Sequence, residues 1–179
     1  MVSNTEFKYD LGVVGLGYVG LPLAVEAATS SLNVIGFDIN SERVEMINNG
    51  HSPIEDISNE ELSQSLKNFH SITESKELSQ CRNIVISVPT PLTDYQPDLS
   101  YVINAAKTVG ENLVKNQVVI LESTTYPGTT VEVLIPNLEK MSGLKAGEDF
   151  FVGYSPERID PGNKVWKFKN TPKVISGIN

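Results

Sequence analysis

The segment Gly15-Leu-Gly-Tyr-Val-Gly20 places glycine at its first, third and sixth positions, directly after an apolar run, and Asp38 closes the next apolar run. That pattern is suited to binding a diphosphate. Gly15 allows a tight turn off a strand, Gly17 has no Cβ to keep a pyrophosphate from the backbone, and Gly20 lets the following helix pack close to the sheet. The N–H groups that open the helix, around Tyr18 and Val19, then face the phosphates, and the helix dipole favours their charge. A carboxylate about 20 residues further on accepts hydrogen bonds from both adenosine ribose hydroxyls. It would repel a 2′-phosphate, so Asp38 favours NAD over NADP. Arg43 could accept such a phosphate; with Asp38 in place, it reads as packing on adenine or the ribose edge. The alternative is a glycine-rich turn with no cofactor. The strand before, helix after, spacing and acid together favour the cofactor.

The elements that must hold this turn follow from short apolar runs alternating with amphipathic stretches. Strands are expected at Leu11–Gly15, Asn33–Phe37, Asn83–Val88, Gln117–Leu121, Phe150–Tyr154 and Lys173–Ser176. Helices are expected at Tyr18–Thr29, Ser41–Asn48 with Ser41 as N-cap, Asn59–Lys67, Leu99–Val114 behind an Asp98 N-cap, and Thr129–Lys140, which Pro136 interrupts or bends. The strands are continuously apolar, so both faces are covered. Strand–helix–strand order at this spacing predicts an α/β fold: a Rossmann-like, doubly wound, mostly parallel sheet with helices on both faces. The Pro89–Pro97 loop is the least regular stretch, and loops at that end of a strand are where such sheets bind ligands.

Composition narrows the class. The 179 residues are 40% hydrophobic and 20% charged, as in an ordinary single globular domain. A net charge of -8 argues against a nucleic-acid partner, since phosphate tracking needs clustered Lys and Arg. No run approaches the ~18 apolar residues of a membrane helix, and Met1–Asp10 lacks the features of a signal peptide. The single cysteine, Cys81, rules out an internal disulfide and fits a reducing cytoplasm. Cys81 matches no nucleophile motif and reads as a small buried hydrophobe. His51 and His70 have no partners at ligand spacing, so no metal site is expected and both read as surface residues.

Beyond the glycine turn, Gly17-Tyr-Val-Gly-Leu-Pro-Leu-Ala24, Val88-Pro-Thr-Pro91, Glu122-Ser-Thr-Thr-Tyr-Pro-Gly128 and Gly153-Tyr-Ser-Pro-Glu-Arg158 occur in order. Together they resemble the UDP-glucose/GDP-mannose dehydrogenase family over nearly the whole chain. Pro91–Asp98 and Ser155–Gly162 are most similar to its UDP-N-acetylglucosamine 6-dehydrogenase branch. The resemblance implies oxidation of a sugar C6 hydroxymethyl group to a carboxylate with two NAD, through a cysteine-bound thiohemiacetal and thioester. It implies a UDP-sugar as substrate partner and a homodimer for the full-length enzyme.

By the same resemblance, Val88, Pro89 and Thr90 line the cofactor near its adenosine and ribose groups. Ser123 and Thr124 lie near the nicotinamide, and the Thr124 hydroxyl orients a water or an oxyanion. Glu157 is implied as the general base of thioester hydrolysis, and Arg158 as a substrate contact. Read from residues alone, Glu157 is a salt-bridged loop residue, with Arg158 as its natural partner. Thr124 and Thr125 could equally cap the helix near Thr129. Pro161 stands where the UDP-glucose branch has a second glutamate, and Trp166 sits among lysines with no assigned role. The family's catalytic cysteine and lysine match nothing here, so the chain is expected to be an NAD-binding fragment that does not oxidise sugar by itself. Two other functions fit the sequence: a non-catalytic NAD-sensing module, and a dehydrogenase for UDP-glucose, UDP-N-acetylmannosamine or GDP-mannose.

Overall fold

A computed structural model of the chain describes residues 6–158, 165 and 170–178. Pro161 and Trp166 lie outside the described residues. The strands are β1 (Tyr9–Val14), β2 (Val34–Phe37), β3 (Phe69–Ile72), β4 (Cys81–Ile86), β5 (Leu92–Thr93), β6 (Gln96–Pro97), β7 (Val118–Leu121), β8 (Phe151–Tyr154) and β9 (Ser176–Gly177). The α-helices are α1 (Gly20–Thr29), α2 (Ser41–Asn48), α3 (Asn59–Ser65), α4 (Ser100–Asn112) and α5 (Ile135–Ser142).

Seven strands form one sheet in the order β3-β2-β1-β4-β7-β8-β9, parallel throughout except for β9 against β8. The order reverses between β1 and β4, and the crevice at such a reversal is where open α/β sheets bind ligands. Successive strand residues point to opposite faces. Val13 and Val34 enter a core with Leu21, Val25 and Leu62 from α1 and α3. Val14 and Ile35 enter the other core, with Val102, Val109 and Leu138 from α4 and α5. Each fully buried aliphatic side chain contributes about 1.5–3 kcal/mol, so both faces of the sheet are pinned and the strand ends are fixed.

Several expectations shift. Phe69–Ile72 is a strand that the apolar pattern does not announce. It pairs with β2, buries Phe69 and Ser71, and exposes His70. The last strand is the two-residue β9, not Lys173–Ser176; Val174 and Ile175 are exposed. Asn40, not Ser41, caps α2, accepting from the Arg43 N–H. Asp98, one position before the N-cap Leu99 of α4, accepts from the Ser100 N–H, a bond that lowers its pKa. α1 opens at Gly20 rather than Tyr18; α3 starts on a capping box of Ser58 and Glu61 and stops at Ser65. The expected Thr129–Lys140 helix starts as a π-turn over Thr130–Leu134 and becomes α5, with Pro136 at its beginning. Proline has no N–H to donate and is tolerated in a first helical turn. Within Pro89–Pro97, β5 and β6 form a hairpin whose turn residues Asp94 and Tyr95 both have positive φ.

Candidate cofactor cleft

β1 ends in the glycine turn, and each glycine has a different physical reason. Gly15 sits at φ 92°, and a Cβ there would lie 2.8 Å from the Ser87 carbonyl. At Gly20 a Cβ would collide with the Gly15 carbonyl and Ser87 Oγ. A Cβ on Gly17 would meet nothing within 4 Å. No neighbour in the fold requires Gly17 to be glycine; it faces open space where a ligand would come close to the backbone. Val19, ahead of α1, makes no side-chain capping bond, and no acid sits in the first turn. That leaves the positive end of the helix dipole available to an anion.

Asp38, 5% exposed, follows β2. Its Oδ2 accepts from the Leu16 N–H at 2.8 Å and from Arg43 Nη1 at 3.0 Å; its Oδ1 accepts from the Asn40 N–H at 2.9 Å. A carboxylate has about four lone-pair sites. Three are filled, so Asp38 has room for one ribose hydroxyl, on Oδ1, and a second would have to displace Arg43. Arg43 lies beside Asp38 on the cleft wall, with Nη1 paired to the buried carboxylate and its side chain 37% exposed.

From Asp38 a single cleft of about 610 Å³ runs past the turn to the ends of β4 and β7, within the usual size of ligand sites. Gly15, Gly17, Tyr18, Val19, Asp38 and Arg43 line one part of it; Val88, Pro89, Thr90, Ser123, Thr124 and Glu157 line the rest. Gly20 is not on the wall, and its part is packing. The loops after β4 and β7 are tied together: Ser123 Oγ donates to the Val88 carbonyl at 2.8 Å, and Thr90 Oγ1 to the Thr124 carbonyl at 2.6 Å. The Thr124 side chain caps no helix. Thr129 Oγ1 instead donates to the Tyr126 carbonyl, closing the turn before the π-turn.

The far end of the cleft holds charges that the sequence did not single out. Glu122, directly after β7 and 4% exposed, is ion-paired through Oε1 with Lys173. The Lys173 Nζ also lies 3.6 Å from Glu157 Oε2. Burial draws the Lys173 ammonium down to about 8. Glu157 Oε1 accepts from the Arg158 N–H at 2.6 Å. The Arg158 guanidinium donates to the Pro172 carbonyl at 3.3 Å and is not on the wall of this cleft. Among the described residues, Glu157 is ion-paired with Lys173 and not with the Arg158 side chain. From α4, Tyr101, Asn104 and Thr108 add a wall that no motif marked.

Cys81 is fully buried, and burial, with Glu77 nearby, pushes its thiol up to about 12. It lies at the start of β4, at the opposite end of that strand from the cleft, so it acts as core. Among the described residues, no cluster of His, Cys, Asp or Glu could hold a metal ion, and no helix is long and apolar enough to cross a membrane.

A glycine turn at a strand-order reversal, open above Gly17 and followed by a buried acid on β2, defines an α/β dinucleotide-binding domain. The family model for the UDP-glucose/GDP-mannose dehydrogenase family, NAD binding domain, matches residues 9–179. The chain belongs to this family, whose cofactor in this domain is NAD. It is 44% identical over 171 residues to UDP-N-acetyl-D-glucosamine 6-dehydrogenase of Salmonella typhi, covering 95% of this chain and 40% of that protein. It is 37% identical to UDP-N-acetyl-D-mannosamine dehydrogenase of Pyrococcus horikoshii, covering 94% of this chain and 41% of that protein. The crystal structure of NDP-N-acetyl-D-galactosaminuronic acid dehydrogenase from Methanosarcina mazei Go1 superposes with a TM-score of 0.87 at 34% identity, over 94% of this chain and 38% of that one. The chain thus spans about two fifths of the length of these relatives.

Proposed function

We propose that the chain is the NAD-binding part of a nucleotide-sugar 6-dehydrogenase that takes a UDP-N-acetylhexosamine, UDP-N-acetylglucosamine foremost. The observation that carries this reading is the continuity of the cleft. One groove joins a diphosphate-sized opening above Gly17 to an end furnished with a hydroxyl, Thr124, and carboxylates, Glu122 and Glu157. An NAD sensor needs the first end and has no use for the second. Two of the relatives named above act, by name, on N-acetylated UDP-sugars, which supports that sugar class.

In this reading the N–H groups of the turn and of α1 hold the diphosphate, and Asp38 Oδ1 receives one ribose hydroxyl. Ile39, 84% exposed beside Asp38, offers an apolar face to the adenine. NAD, when bound, supplies the hydride acceptor. Thr124 orients an oxygen at the reacting end, and Glu157 takes a proton from a water there. The chain's one cysteine is sealed in the core, so the 179 residues bind cofactor without oxidising sugar.

Calorimetry of the 179-residue chain with NAD and NADP, followed by an assay with UDP-N-acetylglucosamine, tests this. NAD is expected to bind more tightly than NADP, with no sugar turnover. An empty cleft at millimolar NAD, or NADP binding as tightly, would defeat the cofactor assignment. Turnover by the isolated chain would defeat the division of labour.

A further inference from the structure

Three stretches far apart in sequence meet at the reacting end of the cleft. Glu122 comes from the end of β7, Glu157 from the loop after β8, and Lys173 from the segment that leads into β9. That last segment is held at several points. Arg158 Nη1 donates to the Pro172 carbonyl, Ser176 Oγ donates to the Tyr154 carbonyl at 3.4 Å, and the Ile178 N–H donates to the Val152 carbonyl at 3.1 Å. β9 pairs with β8 through Gly153 and Tyr154. Val174 and Ile175, next to Lys173, are exposed, so burial of their side chains does not account for the path of the segment. What the segment delivers inward is Lys173, whose side chain is 21% exposed.

We propose that Lys173 is the positioning residue of this site: its ammonium, anchored on the buried carboxylate of Glu122, holds the Glu157 carboxylate in one orientation at the end of the cleft. The consequence for chemistry rests on the role given to Glu157 above. The arrangement explains two features that the glycine motif does not touch. A carboxylate as buried as Glu122 needs a paired charge, and Lys173 is its ion-pair partner. The Glu157 side chain, only 8% exposed although it sits on a loop, gains a fixed point beyond its bond to the adjacent Arg158 N–H. Lys173 reaches both acids at once, so the ends of β7 and β8 are coupled through a single nitrogen. The other described charge nearby, the Arg158 guanidinium, is spent on the Pro172 carbonyl.

The test follows the Lys173 ¹⁵Nζ signal of the 179-residue chain through pH titration, in wild type, Glu122→Gln and Glu157→Gln. Each carboxylate favours the charged ammonium. Each substitution is therefore expected to lower the Lys173 midpoint by roughly half to one pH unit. In Lys173→Met, the three-bond couplings of Glu157 should fall to rotamer-averaged values, and Lys173→Arg should restore them. A Lys173 midpoint that does not move in Glu157→Gln overturns the proposal. So do Glu157 couplings that stay unchanged in Lys173→Met. If the methionine variant does not fold, the two glutamine variants decide alone. None of these readouts needs NAD, so a failed cofactor titration would sink the functional reading and leave this coupling standing.

Discussion

At one end of the cleft, the groups facing a ligand are main-chain atoms on the rim of β1 and α1. At the other they are the side chains of Glu122 and Glu157, both paired with Lys173, which lies 51 positions from Glu122. The glycine end is made by one continuous segment, and its geometry is set by what its residues lack. The carboxylate end is made by opposed charges, and its geometry exists only once β7, β8 and β9 are assembled. A backbone site is thus as rigid as the sheet beneath it. A side-chain site is as rigid as its ion pairs, which pH and single substitutions can change.

The contrast can be broken most forcefully inside the glycine turn itself. Gly20→Ala drives a methyl group into the Gly15 carbonyl and Ser87 Oγ. It is expected to cost about 3 kcal/mol or more, read as a fall in the denaturant midpoint, with NAD binding lost. Gly17→Ala meets nothing in the fold. Stability should stay within about 0.5 kcal/mol, while NAD affinity drops by roughly tenfold or more, since only the cofactor approaches that Cα. Equal losses of stability in the two variants would remove the distinction between packing glycine and ligand glycine.

Asp38→Asn comes next. It removes the charge that binds Arg43 and weakens the bonds from Leu16 and Asn40. A loss of about 2 kcal/mol is expected, together with a fall in the preference for NAD over NADP measured by calorimetry.

A smaller effect reports on the carboxylate end. Lys173 titrates at about 8 in the fold against an ordinary 10.5. Between those values the unfolded chain keeps a proton that the folded chain has released. The cost of the buried ammonium is present in full below pH 8, and stability rises as the pH passes from 8 towards 10. A gain on the order of 1 kcal/mol is expected, held down by partial exposure and by the two carboxylates. Chemical denaturation across that range should show the rise in wild type and lose it in Lys173→Met. Thr90→Val, which cuts the tie to the Thr124 carbonyl, should have the least effect: about 1 kcal/mol of stability at most and a few-fold loss of NAD affinity.

The same contrast governs what could be read from sequence. Apolar runs such as Val118–Leu121 announce interior parallel strands because helices cover both faces. The edge strand Phe69–Ile72 buries Phe69 and Ser71 and shows solvent His70. Two buried positions, one of them serine, are too little pattern to notice. The glycine turn and Asp38 were legible because each sits at a fixed offset from a strand end. Arg43 was seen, but not its pairing to Asp38, which depends on how α2 enters, with Asn40 as cap. Glu122 stood inside a quoted motif, and its position right after an apolar strand was the signal that could have marked it. Lys173 carries no local signal at all; its meaning comes entirely from the partners that tertiary structure brings to it.

One consequence follows from the seal around Cys81. Its sulfur lies where a side chain on Gly12 would have to go, 2.8 Å from that position, beneath strands that pair on both sides of β1. With no solvent contact and a thiol pushed up to about 12, it is out of reach of alkylating reagents while the sheet is intact. The protein therefore carries its own stopwatch: the rate at which this lone sulfur becomes labelled measures how often β1 and β4 come apart, without any dye or engineered probe.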